Sequence, residues 1–207
     1  MRRDKSITTI LSRTLSIVLH PMLMPLYAAA YIAATSPLMK MLGVSSRAYI
    51  VGLVAVDAVL LPAFYIWMMF FLKVIKDKSL SRPADRIRPL AVLALCYGLG
   101  LWGFRDMHTT FMISRVLWAG LLCAMTALAV TPFWKISLHM MAQGAAIALL
   151  TLFCISGMCP VWLYCAAVII AGCVASARLY LGAHNPMQTA AGFAVGTIIS
   201  GCSLLFI

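Results

Sequence analysis

The stretch Ile113-Ser114-Arg115-Val116-Leu117-Trp118-Ala119-Gly120-Leu121-Leu122-Cys123-Ala124-Met125-Thr126-Ala127-Leu128-Ala129-Val130-Thr131-Pro132-Phe133 decides the fold class of this chain. It carries one charge, Arg115, over about the 20 residues that a helix needs to cross a hydrocarbon core. Comparable runs occur at about 22–40, 49–72, 89–104, 138–157, 160–177 and 187–207. Backbone amides in lipid must be satisfied within their own segment, and apolar runs of this length achieve that as helices. The expectation is an all-α polytopic bundle of about six to seven transmembrane helices. Composition agrees: 64% of the 207 residues are hydrophobic and 10% charged, against about 45–50% and 25% in soluble domains.

Before the first run, residues 1–21 place Ile7, Ile10, Leu11, Leu15 and Val18 on one helical stripe, with Lys5, Thr9, Ser12, Arg13 and Ser16 elsewhere. That spacing predicts an amphipathic helix lying on the membrane surface. A cleaved signal peptide is disfavoured, because Pro21 and Pro25 interrupt the apolar run and apolar sequence continues beyond it. Residues 22–207 then form a single transmembrane domain, with one extended polar loop at 73–88 and no internal repeat.

The net charge of +11 would suggest nucleic acid in a soluble chain. Here the basic residues flank apolar spans, so the partner is the lipid bilayer and its anionic headgroups, with no nucleic acid. Of sixteen Lys and Arg residues, only Lys40, Arg47, Arg105 and Arg115 fall on one face of a seven-span topology. The positive-inside rule makes the other face cytoplasmic. The seven cysteines lie in apolar stretches without Cys-x-x-Cys spacing, the pattern of small buried side chains. Nothing marks an oligomeric state.

All five acids are aspartates, so paired-carboxylate chemistry has few candidates. Acid–base work falls to His20, His108, His139 and His184, of which His20 and His108 have no partner at a telling spacing. Three segments share the predicted cytoplasmic face: 82–89, with Arg82, Arg86 and Arg88; 135–139, with Lys135, Ser137 and His139; and 177–188, with Arg178, His184 and Gln188. Arginine forks suit phosphate oxygens, and two histidines can divide nucleophilic attack from proton transfer. No metal cluster and no cofactor is called for.

These segments resemble the type 2 phosphatidic acid phosphatase family of membrane phosphatases. Its signatures are Lys, six residues, Arg-Pro; then Pro-Ser-Gly-His; then Ser-Arg, five residues, His, three residues, Asp. This chain supplies Arg88-Pro89, then Ser137 and His139, then Arg178 and His184 at the family's spacing, across residues 82–192. The resemblance implies a metal-independent phosphatase acting on a phosphorylated membrane lipid, a phosphate monoester or a pyrophosphate. His184 would form a phosphohistidine, His139 would protonate the leaving oxygen, and Arg88, Arg178 and Ser137 would hold the phosphate. It also implies a bacterial inner membrane, where many relatives act on the outer face, opposite to the charge reading.

The chain departs from the family in several places. The signature lysine falls at Ser81, which makes Arg82, or Lys135, its stand-in. Leu138 replaces glycine and Ala177 replaces serine. Gln188 replaces the aspartate that would orient His184; losing that charge in a serine protease triad costs about 10⁴ in turnover. Gln188 also has a structural reading: Asn185 as N-cap, Pro186 at the first helical position and Gln188 three residues after the cap form a capping arrangement. Two alternatives to catalysis stay open. One is a relative that binds or moves a phosphorylated lipid without hydrolysing it. The other is a small-solute transporter built on Asp57, which lies inside the second span and otherwise hydrogen-bonds between helices. Gly192 and Gly196 have the spacing for close helix approach.

Overall fold

The computed structural model describes residues 6–74 and 83–206, the side chains of 83 and 84 excepted. The described elements are helices, in the order α1 (Ile7–Val18), α2 (Met24–Thr35), α3 (Pro37–Lys40), α4 (Val44–Ala55), α5 (Leu61–Phe71), α6 (Pro83–Phe104), α7 (Phe111–Val130), α8 (Leu138–Ile155), α9 (Val161–Tyr180) and α10 (Pro186–Phe206). Short 3-10 turns precede α2 and α7, and a π-helical segment, Val56–Leu60, joins α4 to α5. Among the described residues, seven helical stretches are long and apolar enough to cross a membrane. The protein is an all-α polytopic integral membrane protein, as its apolar runs require.

Two boundaries differ from expectation. The third span starts upstream of Pro89: α6 begins at Pro83, whose fixed φ suits a first helical turn, and carries Pro89 inside it. The first candidate stretch is Ile7–Thr35 rather than 22–40, because Pro37 opens a separate short helix after Ser36.

The chain divides into two compact units. The first comprises Met1–Met24 and Ile136–Gly201. In it α8 packs on α9, and α8 meets α10 through glycines. A Cβ at Gly196 would fall on the Met141 carbonyl, one at Gly192 on the Ser137 carbonyl, and one at Gly144 on the Phe193 carbonyl. The two backbones are therefore in contact, the outcome expected of small residues four apart in lipid.

In the same unit α1 packs on α9, with its polar stripe turned toward the bundle rather than toward water. Thr9, Ser12 and Ser16 are buried, whereas Ile7 is 76% and Leu11 63% exposed. The expected placement gave the hydroxyl stripe to water. In the structure the helix bundle takes it, and the apolar stripe faces outward, as suits a helix bordered by lipid.

The second unit comprises Pro25–Lys135 and Cys202–Ile207. There α6 packs on α7, on α5 and on the π-helical segment. Asp57 sits in that segment, buried, and its Oδ2 has no hydrogen-bond partner. A Cβ at Gly100 of α6 would collide with this oxygen, so glycine makes room for the carboxylate. The hydrogen bond expected of Asp57 between helices is not made by Oδ2.

Candidate functional site

The candidate site belongs to the first unit and grows out of the turn between α9 and α10. Arg178 lies in the last turn of α9. Gly182 adopts φ +64°, and the Gly182 and Ala183 amides donate to the carbonyls of Leu179 and Arg178. This paired pattern is a Schellman stop, which needs a residue in the left-handed region. Two residues later Asn185 caps α10. Its Oδ1 accepts the Gln188 amide at 2.8 Å, and Gln188 Oε1 accepts the Asn185 amide at 3.2 Å. The capping arrangement expected from spacing is present in both directions.

The same Gln188 Oε1 lies 3.1 Å from His184 Nδ1. The Asn185 amide can only donate, which fixes the oxygen of Gln188 as the atom at this position. Nδ1 of His184 must then carry the proton, and the lone pair of the neutral ring lies on Nε2. Gln188 thus caps the helix and sets the tautomer of His184 with one atom. It does so without a negative charge.

His139 occupies the first turn of α8. Its Nε2 lies 3.0 Å from the Ser16 carbonyl, and a carbonyl only accepts, so Nε2 carries a proton. That carbonyl is available because α1 ends there: the His20 amide, which would close on Ser16 in a longer helix, donates to Ile17 instead. The Ser16 hydroxyl donates to the Ser12 carbonyl at 2.8 Å and receives Arg178 Nη1 at 3.5 Å. His20 places its ring edge-on to His139, with centroids 5.4 Å apart, and accepts the Met22 amide on Nδ1. The charged and titratable neighbours of His139 are Arg178, His20 and His184.

Two donors in this cluster are buried without a hydrogen-bond partner: the Ser137 hydroxyl and Arg178 Nε. Leaving such a group unpaired costs about 1–3 kcal/mol, and most buried donors in native proteins are paired. Ser137 is fully buried, and its amide reaches the Gln188 carbonyl at 3.3 Å. The cluster thus holds a hydroxyl and a guanidinium N–H without an acceptor together with two histidines of defined tautomer. Among the described residues no group of His, Cys, Asp and Glu could hold a metal ion.

Of the residues singled out in the sequence, Ser137, His139, Arg178, His184 and Gln188 all belong to this unit. Arg88 and Lys135 belong to the second. There Arg88 is exposed, with Nη1 3.5 Å from the Val74 carbonyl. Arg82 lies outside the described residues. Comparison with known proteins returns no matching family model, no matching curated protein and no matching solved structure.

Ser12, Ser16 and His20 are the members of the cluster that the sequence did not single out. Their signal was the polar stripe Thr9, Ser12, Ser16 at helical spacing, ending in His20. In a membrane chain such a stripe marks the packed face as readily as the wet one.

Proposed function

We propose that the first unit is a metal-independent phosphatase site for a phosphorylated membrane lipid, working through a phosphohistidine. The observation that carries this reading is the His184–Gln188–Asn185 arrangement, which leaves the His184 lone pair on Nε2. In the first step Nε2 attacks phosphorus, the bond from phosphorus to the lipid oxygen breaks, and His139 gives that oxygen a proton. In the second, water attacks the phosphohistidine while His139 takes a proton back, releasing inorganic phosphate. The Nδ1 proton of His184 stays on Gln188 throughout. Ser137 Oγ and Arg178 Nε donate to the phosphate oxygens.

The Ser16 carbonyl does for His139 what Gln188 does for His184: a neutral oxygen holds one ring N–H and so fixes the tautomer. Bound phosphate offsets the charge of Arg178 and favours the doubly protonated ring that the first step needs. A lipid substrate suits a site at helix ends, where a headgroup is admitted and its tails stay in the bilayer. The excess of Lys and Arg on the same face of the sequence supports a cytoplasmic site, in the bacterial inner membrane that the resemblance implies. In a variant without native cysteines, Ser79→Cys then reacts with a membrane-impermeant thiol reagent only after the cell is opened; labelling of intact cells reverses the orientation.

Release of phosphate from a panel of lipid phosphates and pyrophosphates by purified protein, beside His184→Ala, tests the mechanism. The wild type should turn over and form a base-stable, acid-labile phosphoenzyme, and the variant should do neither. Turnover that survives His184→Ala sinks it. A second reading is favoured by the missing charge at Gln188: a site that binds the lipid phosphate without cleaving it. Saturable lipid-phosphate binding with no turnover in either protein selects that reading.

A further inference from the structure

Within the second unit, α6, α7 and the turn that joins them line a half-open cavity of ≈ 470 Å³, within the range of about 300–1,000 Å³ typical of ligand sites. Its lining changes character along the helix axes. Near the turn it presents Arg105, His108 and Arg115, and deeper along the same helices it presents Leu101, Trp118 and Leu121. We propose that this cavity binds an anionic phospholipid, with its headgroup phosphate at Arg105 and Arg115 and one acyl chain along the apolar part.

Arg115 is built as a fixed cation. Its Nη1 is held by the Leu204 carbonyl, its guanidinium lies 4.0 Å from the Phe111 ring centroid, and its Nε is buried without a hydrogen-bond partner. Those contacts restrict the side chain at little entropic cost on binding, and Nε is a donor still to be satisfied. Arg105 stacks at 4.8 Å over Trp102 and pairs with exposed Asp106 at 3.1 Å. Asp106 balances Arg105, which leaves Arg115 as the net positive charge and makes a single phosphate the matching headgroup. Trp102 is 65% exposed, and a tryptophan beside arginines at a helix end is the pattern of a membrane–water boundary. A lipid satisfies both ends of this cavity; a soluble anion satisfies only the outer one.

The test is native mass spectrometry of delipidated full-length protein titrated with phosphatidylglycerol, with phosphatidylcholine of the same chains, and with inorganic phosphate. The wild type should take up phosphatidylglycerol about tenfold more tightly than phosphatidylcholine, and inorganic phosphate should not displace it. Arg105→Gln, which leaves the Arg115–Leu204 contact intact, should lower the preference several-fold with an unchanged melting temperature. Arg105→Gln with Arg115→Gln should abolish it. Arg178→Gln should leave it intact, which separates this cavity from the candidate phosphatase site whether or not that site turns over. Equal uptake of the two lipids, preference surviving the double substitution, loss in Arg178→Gln, or displacement by free phosphate overturns the proposal.

Discussion

The two units bury polar groups in opposite ways. In the first, polar side chains lie in a connected set: Gln188 joins Asn185 to His184, and Ser16 joins His139 to Arg178. In the second, Asp57 is buried with an oxygen unpaired, in a local π-helical distortion and against a glycine. Networks satisfy each other's hydrogen bonds and hold geometry; a lone buried acid only costs. The unpaired donors of the first unit, Ser137 Oγ and Arg178 Nε, are exceptions within an otherwise satisfied cluster. That contrast separates a connected polar cluster in the first unit from a lone buried acid in the second.

The largest expected effect tests whether the network depends on glycine packing. Gly196→Leu drives a side chain into the Met141 carbonyl and should cost several kcal/mol, of the order of about 3 or more for overpacking at a backbone contact. The readout is loss of folded protein in detergent, against unchanged yield for Gly172→Ala, whose Cβ meets nothing within 4 Å. Equal yields would mean that the α8–α10 contact does not hold the site together.

Gln188 comes next. Gln188→Asp should raise turnover about tenfold or more by supplying the charge that stabilises a developing imidazolium, whereas Gln188→Ala should lower turnover and loosen the helix start. Asn185→Ala isolates the cap: a loss of about 1 kcal/mol in stability, with a smaller effect on turnover than Gln188→Ala. If Asn185→Ala and Gln188→Ala fall equally in turnover, Gln188 serves the helix and not His184.

The smallest effect belongs to the second unit. Asp57→Asn replaces a buried carboxylate by an isosteric neutral amide and should raise stability by about 1 kcal/mol, leaving phosphate release unchanged. Thermal melts and the phosphate assay read both. A loss of phosphate release would join Asp57 to the site, and solute flux abolished by the substitution would favour the transporter alternative.

Much of this was legible from residues alone. Apolar runs specify membrane helices because a backbone in lipid has few other ways to satisfy itself, and the interval from Asn185 to Gln188 specifies a cap because that chemistry is local. The Schellman turn at Gly182, inside the Arg178–His184 interval, emerges only in the structure. The third span begins before Pro89 rather than at it, because proline fits a first turn and is also tolerated inside a helix already begun.

What the sequence by itself determined is therefore the local and the one-dimensional: seven apolar spans, a capped turn carrying His184, and glycines set for close packing. Tertiary structure alone decided which way α1 faces, since an amphipathic stripe is the same whether water or a helix bundle takes its polar side. It alone also brought Ser16 and His20 to His139, across more than a hundred residues. Hydrogen bonds are satisfied by whatever lies near in space, and no periodicity along the chain records that.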